Sequence, residues 1–130
     1  MTALADIELE LITRATVKFS DAVVRDELDN NLLNELPTIQ IQQIPGGSDD
    51  GLRLARMLVD VDVYARTRAD AITLARQVHA WIEGELPGSV GDTIVFGRIR
   101  ALALPALRPY ENTALRRVGA TYEIFCHPVS

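Results

Sequence analysis

The chain has 130 residues, 48% of them apolar and 24% charged, with a formal net charge of −5. That length fits one domain able to bury about two thirds of the surface its unfolded form exposes, so no disulfide or metal staple is needed, and the composition excludes the low-hydrophobicity class of disordered chains. The acidic balance argues against tight wrapping of nucleic acid, which needs clustered Lys and Arg, and no apolar run approaches the roughly 20 residues of a membrane span. Cys126 is the only cysteine, so no intrachain disulfide is possible and synthesis in a reducing cytoplasm is expected. Met1 to Asp6 lacks a basic region followed by an apolar stretch, and no signal peptide is expected there.

Ile7, Leu9 and Leu11 alternate as in a strand, whereas Leu4, Ile7, Leu11, Ile12, Ala15 and Phe19 fit a helical stripe, whose length favours a helix. A short apolar run, Ala22-Val23-Val24, reads as a strand, and the polar stretch after it as a loop or short helical turn. Between Pro37 and Pro45, the β-branched run from Thr38 to Ile44 predicts a strand with Ile39 and Ile41 on one side and Gln40 and Gln42 on the other. Pro45, Gly46, Gly47, Ser48, Asp49, Asp50 and Gly51 offer turn chemistry and predict a long hairpin tip. The next strand carries the strongest local signal. Met57, Val59, Val61, Val63 and Ala65 fall on one face, and Leu58, Asp60, Asp62 and Tyr64 on the other.

A helix follows at once. Thr67 and Asp70 make a variant capping box, Ala71, Leu74, Ala75, Val78 and Ile82 a buried stripe, and Gly84 with Pro87 a stop. Two more strands close the domain. One places Val95, Gly97, Ile99 and Ala101 opposite Phe96, Arg98 and Arg100. The other places Val118, Ala120, Tyr122, Ile124 and Cys126 opposite Arg117, Thr121 and Glu123. The order α-(β)-β-β-α-β-β predicts an α+β fold. It is a two-layer sandwich, a mostly antiparallel sheet of about four strands with two helices on the valine face.

Asp60 and Asp62 are the first candidates for chemistry, as a cation site or an acid/base pair. No histidine or third carboxylate stands near them in sequence, and cross-strand ion pairs among Asp60, Asp62, Arg98, Arg100 and Glu123 are the favoured account of these charges. His79 and His127 have no partner at metal-ligand spacing, and Cys126 falls on the apolar face. Pro45-Gly46-Gly47 lacks the Walker spacing. Trp81, at the edge of the helical stripe, reads as core. No catalytic, cofactor or metal residue is assigned. The outer sheet face instead carries Leu58, Tyr64, Phe96, Leu102 and Phe125 between charges, a pattern suited to a subunit interface.

Four passages carry a family resemblance. They are Leu36-Pro37 with Ile39 and Ile41 leading to Gly46-Gly47; the run from Val59 to Ala65 into Arg68-Ala69-Asp70-Ala71; Pro105 through Pro109-Tyr110; and Arg116-Arg117 with Ala120-Thr121-Tyr122-Glu123. In order and spacing they resemble the tail terminator, or tail completion, proteins of long-tailed bacteriophages that infect actinobacteria. The resemblance implies a non-enzymatic virion protein, made in the host cytoplasm. It implies a ring, typically a hexamer, that ends tail-tube polymerisation at the head-proximal end and offers a surface to a head-side connector protein. Genomic DNA would pass through it without specific binding, and no cofactor or membrane is implied. Two loops are then the expected assembly contacts: Gly46, Gly47, Ser48, Asp49, Asp50 and Gly51, and Pro105, Arg108, Pro109, Tyr110, Glu111 and Asn112. Asp49, Asp50 and Glu111 are placed to make a lumen acidic. Two alternatives stay open: another head–tail joining protein, or, in a different class, a small α+β enzyme or ligand-binding domain.

Overall fold

The period of two through residues 57–65 sets the core. Met57, Val59, Val61, Val63 and Ala65 are all buried, on one face of a strand spanning Ala55–Ala65. The structure, a computed structural model, describes residues 5–51 and 54–129. Its elements in chain order are α1 (Ile7–Lys18), β1 (Val23–Arg25), a 3-10 turn (Leu32–Asn34), β2 (Thr38–Asp49), β3 (Ala55–Ala65), α2 (Arg68–Gly84), β4 (Ile94–Arg108) and β5 (Arg116–Pro128). The strands form one five-stranded sheet ordered β1-β2-β3-β5-β4. Every neighbouring pair is antiparallel except β1 with β2. The expected α+β sandwich is present, and the Ala22-Val23-Val24 run supplies a fifth, parallel edge strand.

Both helices lie on the valine face. The N-cap Asp6 accepts a hydrogen bond from the Leu9 N–H at 3.1 Å, and α1 buries Ile7, Leu11 and Ala15 against β1 and β2. Leu4 of the expected stripe lies outside the described residues. Thr67 caps α2 by accepting from the Asp70 N–H at 3.1 Å. Ala71 and Ala75 let α2 lie close over β3, β4 and β5, and Trp81 is core as expected. The helices meet where Phe19 stands edge-on to Trp81, ring centroids 5.6 Å apart. All of this is one apolar cluster. Each fully buried Val, Ile or Leu in it is worth about 1.5–3 kcal/mol of transfer free energy.

The structure corrects three expectations. First, Pro45, Gly46, Gly47, Ser48 and Asp49 are not a loop but the end of β2. The pairing with β3 slips between Ile44 and Ser48, and Gly46, with φ of 113°, turns the chain through that slip. Gly47 passes so close that a Cβ there would lie 2.6 Å from the Arg56 carbonyl oxygen. Glycines that read as a turn are here a bulge. Second, β4 runs on through Pro105 to Arg108. Proline has no N–H to donate, and β4 tolerates it because it is an edge strand.

Third, Phe96 belongs to the core, at 1% exposure, and not to the outer face. Phe96 pairs with Cys126 but Ile99 pairs with Ile124. Three steps on β4 thus match two on β5, and the slip puts both Phe96 and Ile99 on the core face. A strict alternation read from sequence cannot see such an inserted residue.

Candidate functional site

Asp60 and Asp62 leave β3 on the face away from the helices. Asp62 is 2% exposed and lies between two guanidinium groups. Arg117 holds it with two parallel hydrogen bonds, Nε to Oδ1 and Nη2 to Oδ2, each 3.0 Å. Arg108 donates to Oδ1 at 3.2 Å. The hydrogen bond to Asp62 is the main cause holding the Arg117 guanidinium above its ordinary pKa. Gly119, the register partner of Asp62, makes room for this cluster, since any side chain there would overlap both the carboxylate and Arg108. Asp60 accepts a short hydrogen bond from the Thr121 hydroxyl and stands 3.9 Å from Arg108.

Farther along the same face, Glu123 bridges Arg56 at 2.6 Å and Arg100 at 3.5 Å. Cross-strand pairing of the outward charges is therefore what the face does. The cations on the aspartates are Arg108 and Arg117. Arg98 instead stands over the Phe125 ring, 5.2 Å from its centroid. Among the described residues, no group of three or more His, Cys, Asp or Glu side chains is placed to hold a metal ion.

At one end this face is not wet. Tyr64 is buried in a second small cluster with Leu32 and Leu115, flanked by Leu28, Leu36 and Tyr110. Its hydroxyl donates to Gln40 Oε1 at 2.9 Å, and burial pushes its pKa up to about 12. Tyr110 meets it edge-on with centroids 5.2 Å apart. This cluster and the Asp62 clasp together fix the chain between β4 and β5. The local pattern places Tyr64 on the outer face, and nothing in it shows that residues 28–36 and 109–115 fold back over that position.

The remaining reactive groups are occupied structurally. The His79 Nδ1 and the Tyr122 hydroxyl share a hydrogen bond of 2.8 Å, which satisfies a phenol whose pKa burial pushes far up. Cys126 is buried and its thiol is pushed up to about 11. Glu10, 4% exposed, accepts from the Thr93 N–H at 3.3 Å and ties α1 to the start of β4. Its position in a helical first turn gave no sign of that partner.

The candidate contact residues separate into two groups. Gly46, Gly47, Ser48, Asp49, Asp50 and Gly51 lie at the β2–β3 hairpin, where the two carboxylates serve the turn. Asp49 accepts from the Gly51 N–H at 2.8 Å, and Asp50 from the Leu54 N–H at 3.1 Å. Pro105 and Arg108 are in β4, and Pro109, Tyr110, Glu111 and Asn112 follow in its hairpin to β5. The registers set Asp49 opposite Ala55 and Ala55 opposite Cys126, but Arg108 opposite Arg117 and Arg117 opposite Tyr64. The two hairpins thus stand at opposite ends of the sheet.

Open grooves mark the described surface. One of about 350 Å³ runs between α2 and the start of β2, lined by Leu36, Pro37, Arg66, Asp70, Thr73 and Gln77 among others. A second, about 400 Å³, lies between the start of α1 and β1. Neither brings a nucleophile up to a general base.

No protein-family model matches the chain, and no curated protein matches it in sequence. A solved structure does match it in fold. A chain from the virion of a native gene transfer agent particle superposes with a TM-score of 0.60 at 16% identity, covering 93% of this chain and 90% of that one. At that identity the likeness is one of fold. It spans both helices and the sheet, so the two chains share the whole architecture and not a common strand–helix fragment.

Proposed function

We propose that this protein is a structural component of a virion. More specifically, it is a tail terminator that closes as a ring on the head-proximal end of a tail tube, ends tube polymerisation and presents a surface to a head-side connector protein. The observation that carries the virion reading is the near full-length fold likeness to a virion chain; the terminator role is drawn from the family resemblance in the sequence. The outward carboxylates support it too: they are spent on arginines and turn amides, an arrangement for holding a surface in shape and not for turning over a substrate. The reading therefore assigns no catalytic role.

Hairpins at opposite ends of one sheet suit a ring that meets a tube on one side and a connector on the other. The negative charges of Asp49, Asp50 and Glu111, held in the two hairpins, would make an adjoining inner wall acidic, so that DNA passes without the counterion-releasing contacts a basic wall would make. The test is to add the purified protein to polymerising tail tube protein and image the product by negative stain. Shorter tubes carrying ring-shaped density at one end are expected. Unchanged tube lengths with bare ends would refute the reading.

A further inference from the structure

The exposed large apolar side chains are not spread evenly. Leu102, Leu104 and Leu107, exposed by 44%, 67% and 51%, all fall on the last half of the edge strand β4. Across the sheet, the groove between α1 and β1 is lined by Leu9, Ile12 and Val24 between Asp6, Glu8, Asp26 and the single cation Arg25, and Leu9 is 61% exposed. We propose that these two surfaces are partners: the outer edge of β4 on one copy packs into the α1–β1 groove of a second copy, head to tail. This deepens the ring reading and rests on it.

Three observations carry the pairing. The first is charge. β4 contains Arg98, Arg100 and Arg108 and no acidic residue, whereas Asp21, Asp26, Glu27 and Asp29 crowd the β1 flank, all exposed. Arg100 and Arg108 also pair within the chain with Glu123 and Asp62, and Arg25 with Asp29 and Glu35, but the residues of the two edges keep net charges of opposite sign, which favours unlike over like edges.

The second is height. Val24 pairs with Ile39, Ile39 with Val63, Val63 with Val118, and Val118 with Leu107. Leu107 and Val24 thus end one transverse row at the two edges of the same sheet. The proposed contact keeps these two positions level. Head-to-tail contacts close into rings when the rotation closes without a slide along the axis, and grow into filaments otherwise.

The third is the character of the edge. Its register with β5 slips three times, and it contains Pro105. Those features discourage an open-ended backbone ladder, while the leucines still offer side-chain contact.

The test uses the full chain with Leu104→Asp and Leu107→Asp combined. Both sites are exposed, so circular dichroism and thermal melting should match the parent protein. Light scattering from dilute to millimolar protein is expected to show assembly of the parent and at least tenfold weaker assembly of the variant. In a second arm, Leu107→Cys and Leu9→Cys proteins are oxidised separately and mixed, with the buried Cys126 silent. Disulfide-linked pairs are expected only in the mixture. Links in the Leu107→Cys protein alone, or unweakened assembly of the aspartate variant, would overturn this contact while leaving tube capping intact. If the parent associates only on tube ends, the mixture is oxidised there and read the same way. A parent protein that neither associates nor caps tubes would overturn both readings.

Discussion

Strand β3 runs against β5 without a slip, from Ala55 opposite Cys126 to Ala65 opposite Arg116. Strand β4, on the other side of β5, loses register three times over a similar length. β3 buries a side chain at every second position and carries a paired charge between. β4 buries Ile94, Phe96 and Ile99 and then leaves its leucines in solvent. The central strand is held by neighbours on both edges and by helices above, so one residue of slippage would turn its valines out of the core. The edge strand has one neighbour and carries inserted residues at the cost of local pairing alone. The sheet centre therefore holds the fold, and the edge is free to serve a partner.

The sharpest way to break this contrast is truncation. Ile124→Ala, at a site 1% exposed, should cost about 3 kcal/mol in urea unfolding, whereas Leu104→Ala, 67% exposed, should stay within about 0.5 kcal/mol. Equal losses would mean that the edge is as structural as the centre. Asp62→Asn comes next. It leaves Arg117 without its bidentate partner and Arg108 with Asp60 alone, and because those side chains are about a quarter exposed the loss should be about 2 kcal/mol, below that for a fully buried pair. Asp60→Asn, at 25% exposure, should cost less than half of that. Thr67→Ala removes one cap and should cost about 1 kcal/mol.

The smallest effect is in alkali. Cys126 is held neutral, with a folded pKa of about 11 against an ordinary 9.0. The unfolded chain loses the thiol proton first. Stability from this group is therefore complete below pH 9 and declines as pH rises from 9 towards 11. Cys126→Ala should flatten that part of the pH–stability curve.

What the sequence shows follows the same division. Residues 57–65, the Thr67 cap, the α2 stripe and the β5 face are legible because each obeys a single period or cap pattern with no inserted residue. β4 is legible only beyond its first slip, where Ile99 and Ala101 face the core as read; the inserted residue reverses the alternation on the other side of the slip, and so Phe96 changes sides. Gly46 and Gly47 signal an irregular backbone, but turn and bulge use glycine for the same reason. The pairing of Asp60 and Asp62 with arginines is visible as a class. The identity of Arg108 and Arg117 is not, because it depends on the registers and on the space left by Gly119.

Hydrogen exchange on assembled and dilute protein tests most directly the claim that the sheet centre builds the fold while its edges meet another copy. Assembly should slow exchange at residues 101–108 and in the α1–β1 region, with residues 57–65 unchanged because their amides are already protected. New protection confined to the two hairpin tips or the charged outer face, with β4 exchanging as in the dilute protein, would contradict it.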